Sequence, residues 1–136
     1  MTTSGKGIIA EGGLHFGSAL ARPGSVDVIA SADLVIAVGT ELSETDLWRD
    51  ALGHDGELIR IDIDPHELND TPEAIRIQAD AGQIAKELWR VRDAFPGKTA
   101  WSEADVAATR AKWRAVVDRE RPGILAVADA LRAALP

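Results

Sequence analysis

Two stretches, DLVIAVGTELSETDLW (residues 33–48) and ELIRIDIDP (residues 57–65), decide how this chain is read. Each is an apolar run that ends in Gly, Thr or Asp at a polar loop. A parallel α/β sheet presents groups in this way, at the carboxyl ends of its strands. In the first stretch Leu34, Val35, Ile36, Ala37 and Val38 are continuously apolar, as a strand covered on both faces requires, which predicts a position near the sheet centre. In the second, Ile59, Ile61 and Ile63 alternate with Arg60, Asp62 and Asp64, and further on Ile75 and Ile77 alternate with Arg76 and Gln78. Alternation with period 2 implies one buried and one wet face, and places these two strands toward a sheet edge.

Outward from these strands, residues 8–24 are rich in Gly and read as a loop with at most a short helix near residues 18–21. Residues 25–30 suit a short helix before the first strand. After Asp80, the side chains of Ile84, Leu88, Val91 and Phe95 fall on one helical face with Lys86, Glu87, Arg90 and Arg92 off it. This predicts a helix that covers the sheet and stops before Pro96 and Gly97. Ser102 and Asp105 have the spacing of a capping box, and Val106, Trp113 and Val117 continue a helical stripe from it. Arg121, Pro122 and Gly123 interrupt that helix. A last, Ala-rich helix over residues 124–135 then carries Leu125, Ala128, Leu131 and Leu135 on one side.

The chain has 136 residues, 46% of them hydrophobic, enough for one domain with its own core. It has no Cys, which excludes disulfides and thiolate chemistry and fits a cytoplasmic protein. Fifteen basic against 22 acidic side chains give a net charge of -7, which on average repels nucleic acid and anionic membranes. Neither is expected as a partner. No apolar run approaches the length of a bilayer span, and the N-terminus lacks a signal-peptide pattern.

Several residues invite chemistry that their surroundings do not support. Asp62 and Asp64 point to one side of a strand and could hold Mg²⁺ or act as a phosphatase nucleophile. A phosphatase of that kind wants Thr or Val where Pro65 stands, so Asp64 is read as capping the turn at Pro65. Gly5, Lys6 and Gly7 lack the Gly spacing and the following Ser or Thr of a phosphate loop. His15, His54 and His66 have no second ligand at metal spacing, and are read as structural or surface residues. Of the four tryptophans, Trp113 is read as core, Trp48 and Trp101 in or near loops invite an interface-anchor role, and core or linker packing is the favoured reading for each of Trp48, Trp89, Trp101 and Trp113.

TTSGKG (residues 2–7), the loop opened by Gly39, IDIDP (residues 61–65) and IRIQADA (residues 75–81) occur in one order. That ordered set resembles the central domain of the thiamine diphosphate-dependent decarboxylase and acetolactate synthase family, over residues 2–91. The resemblance implies an α/β fold, a three-layer α/β/α Rossmann-like parallel sheet, followed by linker helices. It places the Thr- and Ser-rich stub at the end of the family's second strand, so the chain reads as an N-terminally truncated fragment. The implied division is a partial central domain over residues 1–98 and a helical linker over residues 99–136 toward a C-terminal cofactor-binding domain.

The implied parent acts on 2-keto acids as a decarboxylase or a synthase, a lyase or transferase. It sits nearest the acetolactate synthase, guanidino-oxo acid decarboxylase and benzoylformate decarboxylase group. Its cofactors are thiamine diphosphate and Mg²⁺. In the family the activating Glu lies in the N-terminal domain, and the Gly-Asp-Gly to Asn-Asn segment lies in the C-terminal one. Neither occurs in these residues, so this piece is expected to be inactive alone, with no catalytic residue and no metal ligand. Its partners would be the two catalytic domains of the parent, and a homo-oligomer is expected.

Family members that hold FAD or ADP here use three loops, which correspond to Gly39 and Thr40, Asp62 and Ile63, and Asp80 and Ala81. Glycine permits close approach to a phosphate, and a carboxylate accepts from a hydroxyl or an exocyclic amine. Glu41 stands where acetolactate synthases have an Arg facing the flavin nucleotide, and its charge opposes phosphates. A rival reading is a stand-alone Rossmann-like module for ADP, FAD or NAD. The absence of a G-x-G-x-x-G loop argues against it. A third reading is a scaffold without a ligand.

Overall fold

The computed structural model describes residues 1–2, 4–9, 12–94, 97 and 100–135. The chain forms two compact units, Met1–Lys6 with Ser18–Lys98, and Gly7–Gly17 with Thr99–Pro136.

In the first unit helix α1 (Ser25–Ala30) precedes strand β1 (Leu34–Val38). Next come the single turn α2 (Glu44–Leu47), strand β2 (Glu57–Asp62), strand β3 (Ile75–Gln78), helix α3 (Ala81–Val91) and a 3₁₀ turn (Arg92–Ala94). The three strands are parallel in the order β1-β2-β3, with Ile36 beside Ile59 and Ile59 beside Ile75. The fold is α/β on a parallel sheet, as expected.

The positions of the strands correct the reading of their patterns. Among the described residues β2, expected at an edge, is central, and the apolar β1, expected at the centre, has β2 as its one neighbour. The alternation does not mark a wet face here, because Arg60 is buried. The residue is only 2% exposed, and its guanidinium donates to the Thr40 carbonyl oxygen at 2.7 Å and to Thr71 Oγ1 at 3.2 Å. Those acceptors make burial of the charged group tolerable. With Leu58 and Ile61 also buried, β2 is covered on both faces.

The core lies on one face of the sheet, where Ala37, Leu47, Leu52, Leu58 and Ala74 cluster, backed by Leu20, Ile29, Val35 and Leu42. Residues paired in a parallel register point to the same side. The other face therefore carries Leu34, Ile36 and Val38 beside Ile59, Ile61, Ile75 and Ile77. Leu34, Ile36 and Val38 remain 43%, 46% and 45% exposed. Helix α3 was expected to cover the sheet, but none of its residues is buried and Leu88 is exposed. Phe95 and Pro96 lie outside the described residues.

In the second unit α4 (Glu103–Glu120) and α5 (Ile124–Ala134) are separated at Gly123, whose φ of 84° suits a residue without a Cβ. The pair Arg114–Asp129 joins the two helices. Phe16 meets Trp101 edge-on, with centroids 5.2 Å apart, and Trp113 at 5.8 Å. Val106 is buried.

The predicted capping box is present. Ser102 Oγ accepts from the Asp105 N–H at 3.1 Å, and Asp105 Oδ2 accepts from the Ser102 N–H at 3.1 Å. The bond from the Ser102 hydroxyl, then that from its backbone N–H, holds the Asp105 carboxyl below its usual pKa. Ser102→Ala is expected to cost about 1 kcal/mol in thermal unfolding. Because the folded pKa of Asp105 is depressed, its contribution is complete above the ordinary carboxylate pKa. It is lost as pH falls through the lowered value. The difference in Tm between wild type and Ser102→Ala should therefore shrink in acid.

Candidate functional site

All three strands run the same way, so their carboxyl ends share one edge. β1 ends at Gly39, whose N–H still donates to the Ile61 carbonyl at 2.9 Å, while its φ of 57° turns the chain away. A Cβ added there would meet nothing within 4 Å, so the turn, not crowding, calls for glycine. Thr40 follows, and its Oγ1 accepts from the Leu42 N–H at 3.2 Å while its carbonyl holds Arg60.

β2 ends at Asp62. Its Oδ1 accepts from the Asp64 N–H at 3.0 Å, and its carbonyl accepts from the Ala79 N–H at 3.0 Å. Ile63 is exposed, and its carbonyl accepts from Gln78 Nε2 at 3.3 Å. After β3, Asp80 caps α3 by accepting from the Gln83 N–H at 2.9 Å, and Ala81 is the first, exposed residue of that helix. The structure thus lines up Gly39 and Thr40, Asp62 and Ile63, and Asp80 and Ala81 on adjacent strand ends. Asp64 Oδ1 accepts from the His66 N–H at 2.8 Å, the turn role read from the sequence.

The charge along this edge is negative. Loss of solvent, followed by repulsion from Glu41, Asp64 and Asp70, holds the Glu67 carboxyl above its usual range, with Arg60 opposing. The N-terminus of α3, which could receive a phosphate, already holds the Asp80 carboxylate. Arg60 is buried and turned to Thr40 and Thr71. The edge fits hydroxyl and amine donors better than a pyrophosphate. Among the described residues no group of three or more His, Asp or Glu could hold a metal ion.

Two arginines that tie loops together are not legible in the sequence. Arg60 looked like one member of a wet face, and its place between Leu58 and Ile61 is the one trace of its burial. Arg49 gave no signal. It donates to the carbonyls of Leu20 at 2.8 Å, Ala51 at 2.9 Å and Leu52 at 3.1 Å, and to Ser25 Oγ at 3.3 Å. Burial lowers its pKa. It fastens the loop before α1 to the loop after α2.

Two of the tryptophans depart from the expected packing role. Trp48 is 80% exposed with φ of 52°, as the left-handed cap of α2, and Trp89 is 70% exposed with the Arg92 guanidinium 4.2 Å from its ring centre. Trp101 and Trp113 do pack, on Phe16. His15 is half-buried, and both of its ring nitrogens are buried with no hydrogen-bond partner among the described residues. His54 is half-buried and His66 exposed.

Comparison with known proteins adds the following. Residues 1–88 match the family described as thiamine pyrophosphate enzyme, central domain. Over 142 aligned residues the chain is 39% identical to the probable 2-ketoarginine decarboxylase AruI of Pseudomonas aeruginosa, covering 99% of this chain and 24% of that protein. The chain thus spans about a quarter of the length of this curated relative. No solved structure matches it.

Proposed function

Because the chain belongs to the thiamine pyrophosphate enzyme central-domain family, we propose that it is the sheet domain of a thiamine diphosphate-dependent enzyme acting on a 2-keto acid, of the decarboxylase kind. The observation that carries this is the 39% identity, along nearly its whole length, to a part of a probable 2-ketoarginine decarboxylase. The ordered strand ends support it, since Gly39, Asp62 and Asp80 stand on the edge where such a sheet meets its neighbours. In this reading residues 1–98 brace the catalytic domains, and residues 99–136 lead to the domain that holds thiamine diphosphate and Mg²⁺. The assembly is a cytoplasmic homo-oligomer. Among the described residues no helix is long and apolar enough to cross a membrane.

The candidate edge acts here as a brace and not as a flavin site. Its residues do not fit the FAD pyrophosphate: Glu41, Asp64, Glu67 and Asp70 gather acidic side chains along the edge, and Asp80 fills the α3 N-terminus. ADP, needing the Asp62 and Asp80 carboxylates for its ribose or adenine edge, fits better but meets the same charge.

Thermal shift of the chain with FAD and with ADP tests this, because a ligand at one hundred times its Kd adds about 2.7 kcal/mol. No FAD shift is expected. A large FAD shift that disappears in Asp62→Ala would overturn the brace reading and favour a nucleotide-binding module. Calorimetric titration with thiamine diphosphate and Mg²⁺ is expected to give no saturable heat. Micromolar binding would place the cofactor site in this chain and overturn the division of labour.

A further inference from the structure

The chain leaves the sheet unit after Lys6 and rejoins it at Ser18, so Gly7–Gly17 belongs to the helical unit with Thr99–Pro136. A Cβ at Gly13 would stand 3.8 Å from Glu103 Oε1, which places residues 12–17 along the first turn of α4. There Phe16 meets Trp101 edge-on at 5.2 Å and Trp113 at 5.8 Å. Trp113 lies two helical turns after Val106, on the same face of α4, and Val106 is 1% exposed. Gly12 and Gly17 bracket the stretch with φ of 125° and 85°, and a Cβ at either would meet nothing within 4 Å. Both serve backbone freedom and not space.

His15 is the weak point of this contact. A neutral imidazole has one donor and one acceptor, and here both ring nitrogens are closed to water with no hydrogen-bond partner among the described residues. Docking strips their hydration without replacing it, and opening restores it. The aromatic contacts of Phe16 oppose that loss. We infer that residues 12–17 are a releasable clasp on α4, with Phe16 as its pin, His15 as the group that favours release, and Gly12 and Gly17 as its pivots. Its consequence rests on the proposed function, in which residues 99–136 lead to the cofactor-binding domain. A closed clasp fixes the start of that linker, and an open one frees it.

Amide exchange of the 136-residue chain at one fixed pH tests this, with β1 and β2 as the internal reference. Acrylamide quenching is a second readout: Trp48 and Trp89 are already 80% and 70% exposed, so added quenching reports Trp101 and Trp113. Phe16→Ala is expected to speed exchange in the first half of α4 about tenfold or more and to raise quenching, with the strands unchanged. His15→Leu keeps the pin and removes the two unpaired nitrogens, and it is expected to slow the same exchange about fivefold or more. Unchanged α4 exchange in Phe16→Ala overturns the inference. So does equal acceleration in β1 and β2, or His15→Leu exchanging as fast as wild type or faster. Neither readout involves a ligand, so a failed clasp leaves the domain assignment standing, and that assignment is decided by the nucleotide and thiamine diphosphate titrations.

Discussion

Gly56→Ala is expected to destroy the cooperative unfolding of the sheet unit. A Cβ at Gly56 would lie 2.4 Å from the Ala32 carbonyl oxygen, 2.4 Å from that of Asp33 and 2.6 Å from the Asp33 carbonyl carbon. All three are backbone atoms, so no side chain can swing aside. The next residue begins the β1–β2 ladder, with the Glu57 N–H on the Asp33 carbonyl. The added methyl must push apart the two strands at the point where their register starts. Overpacking of flexible cores costs about 1–3 kcal/mol, and a backbone wall should exceed that range. For a unit of ordinary stability, about 5–15 kcal/mol, this is a large share. Gly39→Ala is the control: its methyl meets open space and the cost is backbone strain alone, about 1 kcal/mol or slightly more. Urea unfolding followed by circular dichroism, with amide exchange in β1 and β2, separates the two. Equal losses in both variants would mean that the close approach at Gly56 is not tight.

Arg60→Ala is expected to be the most damaging change to a charged residue in the chain. It removes a side chain that is 2% exposed and leaves the Thr40 carbonyl and Thr71 Oγ1 without their donor. Cavity and unpaired acceptors together should cost roughly 3 kcal/mol or more. Arg60→Met keeps most of the volume and removes only the donors, so about 1–2 kcal/mol is expected. Both variants should speed amide exchange around Thr40 and Thr71, because Arg60 is the strut between the loop after β1 and the loop after β2. If Arg60→Met matched wild type in stability and in exchange, the hydrogen bonds would carry nothing and Arg60 would act as filler.

Local chemistry in the sequence determined much of this protein. The short helix over Ser25–Ala30, the Ser102 capping box and the break at Pro122 and Gly123 were all legible, because caps and helix breakers act within a few residues. The ordered strings from TTSGKG to IRIQADA were enough to reach the family. The candidate edge was legible too, since residues that end parallel strands must emerge on one side of the sheet. Only the tertiary structure decided which strand is central. Periodicity reports how side chains alternate along a strand, whereas the number of covered faces depends on what packs there from elsewhere. Arg60 reads as exposed until the Thr40 carbonyl and Thr71 hydroxyl are brought to it from 20 and 11 residues away. Arg49 likewise finds Leu20 and Ser25 across 29 and 24 residues. The apolar LVIAV run, for its part, requires cover on both faces, and within this chain the fold supplies it on one.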